Sequence, residues 1–268
     1  MKKIAVFAMF AVCTAAHAEE VLPGPQEVLS EALRVRYETE TLQDLDLTIR
    51  GPNGVRGKRS VEIATKLYDG RLYVLGRFTS PQRLRGTAFL AIEDKDASDY
   101  FVYLPAFRKV RRVSSFQRSD PWFETDLSFE DVERHYVEDY TVERMISSDW
   151  ESELVDIIEA KPRYESRYAL VRFFVARIDR AILRIEYFVH GRTHASKTIT
   201  APRASIIREG ESLVPGRIVA RNVDQGSETI VETRRIVFDP RLRRGFFNSS
   251  RLEIRDMLPF ATAHEKDR

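Results

Sequence analysis

Short runs rich in β-branched and aromatic residues, each stopped by a turn sequence, constrain this chain more than any other feature. "LDLTIR" ends at Gly51-Pro52-Asn53-Gly54, "RSVEIATKLY" at Asp69-Gly70 and "RLYVLGRF" at Ser80-Pro81. The second half repeats the texture in "ALVRFFVARID", "AILRIEYFV" before His190-Gly191, "THASKTITA", "GRIVARNV" before Asp224-Gln225-Gly226, and "SETIVETRRIVF". Such runs pack well on a pleated surface, and Gly, Asn and Asp supply the backbone conformations that tight turns need. They read as consecutive antiparallel strands. In "ILRIEYFV", Leu183, Ile185, Tyr187 and Val189 alternate with Arg184 and Glu186, as a half-buried strand requires. A sheet of about ten strands curls or closes rather than staying flat. Before it, "QEVLSEALRVRY" places Val28, Leu29, Ala32 and Leu33 at helical spacing behind two prolines, so an amphipathic helix is expected over Gln26 to Tyr37. "LSFEDVERHY" is open between readings, Ser128 and Asp131 being placed to cap a short helix. In "SSDWESELVDII", Leu154 to Glu159 reads equally well as a further strand.

With 268 residues and no linker rich in Pro, Gly or Ser, one large domain is expected, over residues 19–268. Residues 1–18 match a signal peptide: Lys2 and Lys3, the apolar run Ile4 to Ala16, then Ala16-His17-Ala18, with cleavage after Ala18. That run is shorter than the roughly 20 residues a spanning helix needs. The single cysteine, Cys13, lies inside the run and follows Val12 rather than a small residue, so neither lipidation nor a mature thiol is expected. Removing the segment takes away two lysines and leaves 41 basic against 41 acidic residues. A neutral chain lacks the positive field of a nucleic-acid binder, and only a local basic patch remains.

Catalytic and metal motifs fail one by one. "GPNGVRGKRS" has Pro52 where a phosphate loop needs glycine and Arg59 where it needs a hydroxyl, so it reads as a hairpin turn. His190 and His194 flank Gly191 in a hairpin rather than sharing a helix face, which argues against a metal. No Gly-x-Ser-x-Gly elbow occurs, and the mature chain has no thiol nucleophile. Neither enzymatic activity nor a cofactor is expected.

Three stretches then carry a resemblance: "RGTAFLAIE", "YFVYLPAFRKVRRVSS" and "ETDLSFEDV", followed by "RIEYF", "LVPGRIVARN", "GSETIVETRRIVFDP" and "GFFNSSRLE". In order and spacing they resemble the outer-membrane lipoprotein-sorting family related to LolA, over about Tyr37 to Glu253. The resemblance implies a mainly β fold with a few helices, an incomplete antiparallel barrel or half-barrel covered by helices. It implies a periplasmic carrier or chaperone for lipid or lipoprotein acyl chains, with an RND- or MMPL-type membrane exporter as partner through transient contact. Family members carry glycine before Thr-Asp in the acidic motif. Here Glu124 stands there, after Trp122 and Phe123, which alters the flexibility and charge of that loop.

A curved sheet with one apolar face and a covering helix makes a pocket of the kind that buries acyl chains. Its candidate walls are Phe89, Phe101, Tyr103, Phe107, Phe173 and Tyr187, each of which suits a plain core equally well. Trp122, Phe123, Asp126 and Asp131 form a candidate rim loop. Arg108, Lys109, Arg111 and Arg112 crowd five residues without an acid. On a strand, Lys109 and Arg111 take one face and Arg112 the other. Either Arg111 or Arg112 pairs with Asp126 or Asp131 and clamps the loop, or the run meets an anionic head group or an acidic partner surface. The competing function is a non-carrier adaptor, its concave face filled with side chains, that docks on an exporter through this rim.

Overall fold

A computed structural model describes residues 22–94, 98–113 and 118–254; the expected signal peptide lies outside them. Fifteen strands follow the helix α1 (Pro25–Arg34). They are β1 (Thr41–Gly51), β2 (Gly54–Tyr68), β3 (Arg71–Ser80), β4 (Ala88–Glu93), β5 (Ser98–Leu104) and β6 (Lys109–Val113), then β7 (Tyr140–Trp150), β8 (Glu153–Pro162), β9 (Tyr168–Ala176) and β10 (Ile182–Val189). The last five are β11 (Lys197–Thr200), β12 (Ile206–Glu209), β13 (Ser212–Pro215), β14 (Arg217–Asn222) and β15 (Ser227–Phe238). Thirteen form one antiparallel sheet in the order β6-β5-β4-β3-β2-β1-β15-β14-β11-β10-β9-β8-β7, and β12 and β13 form a separate ribbon. The "GPNGVRGKRS" stretch is the β1–β2 hairpin, and Leu154 to Glu159 belongs to β8.

The edge strands β6 and β7 are not paired with each other, so the barrel is open. The segment 118–139 runs between them and shows how strongly the sheet curls. Asp131 bonds Lys197 on β11, while three residues later the Arg134 amide bonds Glu93 on β4. These strands stand six places apart, about 29 Å on a flat sheet. Three residues of chain reach only about 10 Å, so even with side chains extended the sheet must wrap round the segment. Within it, α2 (Phe129–Val132) starts at Ser128, whose amide donates to Asp131 at 2.6 Å, so of the two readings left open the short capped helix is the one found.

Both faces of the sheet are covered. On the face toward 118–139, Leu47, Val61, Phe78, Ala220 and Val231 pack with Trp122 and Leu127. On the opposite face, Leu42, Ala64, Leu75 and Leu90 pack under Leu242, Phe247 and Leu252 of the C-terminal segment. Arg77 fastens that cover by donating to the carbonyls of Arg251 and Leu252. Helix α1 begins with Pro25 and buries Val28, Leu29, Ala32 and Leu33 against Ile158, Val171, Phe173 and Ile185 of β8 to β10. The expected cover of several helices over the sheet is not found among the described residues, where α1 packs on β8 to β10.

Candidate ligand cavity

Strand alternation decides which side chains face segment 118–139 on the other half. Phe89, Ala91 and Glu93 of β4 point the same way as Val74 and Leu72 of β3 and as Val102 and Tyr100 of β5. With Leu45, Leu47, Ile63, Ile218 and Val231 from the neighbouring strands, and Trp122, Leu127 and Phe129 above, they enclose an apolar cavity of about 210 Å³. A second cavity of about 170 Å³ shares Tyr37, Leu45, Thr65, Ile218 and Val231 with the first. The tip of the Phe89 ring lies over Gly76, where a β-carbon would come within 2.1 Å of its Cζ. Its ring also meets Trp122 edge-on at 5.5 Å.

Two arginines fix the rim. The Arg59 side chain, almost wholly buried on β2, donates to the Phe123 carbonyl at 3.0 Å and to Glu124 at 2.8 Å. Arg83 donates to the same Glu124 oxygen at 2.9 Å. That bond and the charge of Arg83 hold the Glu124 carboxyl below its usual range, while burial lowers the pKa of Arg59. Glu124 has φ 60° and Phe123 φ 47°, in the left-handed region that glycine enters without penalty. The substitution found in the acidic motif therefore keeps a glycine-like backbone and adds an ion pair. Further along, Asp126 accepts from Thr229 at 2.7 Å and Asp131 accepts from Lys197 at 2.5 Å, the latter pair buried.

The structure brings some of the residues singled out in the sequence to this cavity and holds others elsewhere. Phe89 lines the cavity, and Trp122 and Phe123 sit at its rim. Phe101 borders the cavity but, with Tyr103, belongs to the cluster on the opposite face, because both alternate with Val102. Phe173 and Tyr187 pack with α1 in the other half, away from the cavity. Phe107 stands 58% exposed on the β5–β6 turn. The loop is clamped, but not by Arg111 or Arg112: Arg112 pairs with Asp99, and Arg111 stacks over Phe107 at 5.3 Å. Both lie on a free edge strand, where a charge needs no buried partner. Of the missed residues, Lys197 carried one signal, a lone cation in a short strand of otherwise uncharged residues, whereas Arg59 is one of several cations in β2 and carried none. Among the described residues no three metal-binding side chains converge, and no helix is long and apolar enough to cross a membrane.

A family model with the description "uncharacterized protein" matches residues 70–254. No curated protein matches the chain. Among solved structures, a candidate outer membrane lipoprotein-sorting protein domain from Vibrio parahaemolyticus superposes with TM-score 0.79 at 21% identity, covering 85% of this chain and 97% of that one. A DUF1329 family protein from Desulfovibrio piger gives 0.78 at 22% identity, with coverage of 85% and 97%. A LolA superfamily protein from Nitrosomonas europaea gives 0.66 at 16% identity, with coverage of 85% and 98%. The chain belongs to the family whose model spans residues 70–254, and its fold is LolA-like.

Proposed function

We propose that the protein is a periplasmic, non-enzymatic carrier that takes up one acyl chain of a lipid or lipoprotein beneath segment 118–139. The carrying observation is an apolar cavity whose roof is a connecting segment rather than a strand of the sheet. The magnitudes are adequate. With about 30 Å³ per methylene, taken as the share of one water in the liquid, the first cavity holds about seven methylenes. At roughly 0.8 kcal/mol each they contribute about 5–6 kcal/mol, a Kd of about 0.1 mM. A longer chain extends into the neighbouring cavity past Tyr37, and the two together hold about twelve methylenes. Arg108, Lys109 and Arg111, with the exposed Phe107, lie outside the cavity lining and form the surface through which the carrier would dock on an anionic membrane or an acidic partner.

One observation favours the adaptor reading: Trp122, Phe123 and Phe129 already fill much of the concave face. In that case the 107–112 tip would dock on an RND- or MMPL-type exporter, and the cavity would be incidental. Titration with an environment-sensitive acyl probe separates the two. The carrier reading expects saturable binding at about 0.1 mM or tighter, and at least tenfold weaker binding in Val102→Trp with unchanged melting. Absence of saturable binding by the wild-type protein would favour the adaptor.

A further inference from the structure

Glu93 is the only charged side chain among the described residues lining the apolar cavity, and it is only 3% exposed. It lies at the end of β4, four residues and about 13 Å along the strand from Phe89, so the cavity has an aromatic end and a carboxylate end. The Tyr100 hydroxyl donates to one Glu93 oxygen at 3.1 Å and the Arg134 amide to the other at 2.8 Å. No described cationic side chain bonds to it, although the Arg134 guanidinium is near enough to attract its charge and Glu133 to repel it. The other charges nearby are committed elsewhere: Arg118 bonds Glu133, and the Arg134 guanidinium stacks on Tyr136 at 4.7 Å and on Tyr37 at 5.6 Å. A carboxylate offers about four acceptor sites, and two remain after Tyr100 and Arg134. A pocket for hydrocarbon alone has no use for this group, since burying an unpaired charge is costly.

We propose that the cavity selects an amphiphile whose polar group donates hydrogen bonds, a cationic amine above all, and that Glu93 receives this group and rejects an anionic head. The inference rests on the carrier reading and names its ligand class. Burial, helped by the charge of Glu133, pushes the Glu93 pKa up to about 7, against the hydrogen bonds from Arg134 and Tyr100 and the attraction of the Arg134 guanidinium. The carboxylate is therefore ionised and selective above that pH, and neutral and nearly indifferent below it.

The test is calorimetric titration of the full mature protein with octylamine, octanol and octanoate, chains matched to the cavity, at about pH 8.5 and pH 5.5. The expected order at the higher pH is octylamine, octanol, octanoate, with on the order of tenfold or more between first and last, because like charges brought together cost several kcal/mol. At the lower pH the spread collapses. Glu93→Gln removes the charge while its single amide oxygen still accepts one of the two hydrogen bonds, so octanol binding persists and the amine-to-acid ratio at pH 8.5 falls to near one. Should that variant fail to fold, Tyr100→Phe frees an acceptor site on Glu93 and is expected to widen the ratio. Octanoate binding as well as octylamine in the wild type, an unchanged ratio in Glu93→Gln, or a narrowed ratio in Tyr100→Phe would overturn the assignment while octanol binding left the carrier reading standing. Failure of all three ligands to bind would overturn the carrier reading itself.

Discussion

Gly76→Ala sets a methyl group against the ring of Phe89, and the consequence can be worked from the packing. The new β-carbon would lie 2.1 Å from Cζ and 2.3 Å from Cε1, so the ring must move. Its centroid stands 5.5 Å from that of Trp122, 5.9 Å from that of Phe123 and 6.4 Å from that of Phe78, which leaves the cavity as the open direction. Overpacking of this kind costs about 1–3 kcal/mol, a fall in Tm of about 3–10 °C for a domain of this size. The displaced ring also takes up cavity volume, so acyl-probe affinity falls with stability. Thermal melts in a double-mutant cycle with Phe89→Leu isolate the contact, because leucine lacks the Cζ that the methyl group strikes. The cost of Gly76→Ala is expected to drop by more than half in the leucine background. An equal cost in both backgrounds would refute the ring-over-glycine packing.

Asp131→Ala strands the buried Lys197 and removes a cap of α2, so urea melts should show a loss of about 3–5 kcal/mol. Glu124→Gly relieves a left-handed backbone worth about 1–2 kcal/mol but leaves a donor of the buried Arg59 without its acceptor, a loss of about 1–3 kcal/mol. Its net effect on melting should lie between a gain of about 1 and a loss of about 2 kcal/mol, whereas Arg59→Met orphans the Phe123 carbonyl, should cost about 1–3 kcal/mol, and should speed acyl-probe uptake in stopped flow. Because the Glu93 pKa rises on folding, from an ordinary 4.5 to about 7, the folded state binds the extra proton. That contribution is fully present below about pH 4.5 and is lost as pH rises through 7, on the order of 3 kcal/mol in all. Glu93→Gln should accordingly raise Tm at pH 8 and change it little at pH 4.5; a pH-independent difference would contradict the burial of an unpaired carboxylate.

The turn sequences made most of the consecutive antiparallel strands legible, while the sheet order that sets β1 beside β15 and β14 beside β11 was not readable from them. Phe101 borders the cavity while Tyr103 does not, for a physical reason. Alternation tells which residues share a face, but here both faces of the sheet are buried, one under 118–139 and the other under the C-terminal segment. Aromatics therefore occur on either side, and nothing local says which side holds the cavity. The clamp was misassigned because acids and arginines close in sequence seemed natural partners. On a free edge strand Arg111 and Arg112 remain hydrated, and the cations that hold the loop come from β2 and β11, brought close only by the curl of the sheet. Glu93 gave no signal at all, being one acid at the end of an ordinary strand.

Native mass spectrometry with lipid extraction, on the mature protein purified from its own cells without detergent, tests the carrier claim most directly. The account predicts a bound species carrying an acyl chain, lost in Val102→Trp. An unliganded mass that persists after incubation with membrane lipids would contradict it.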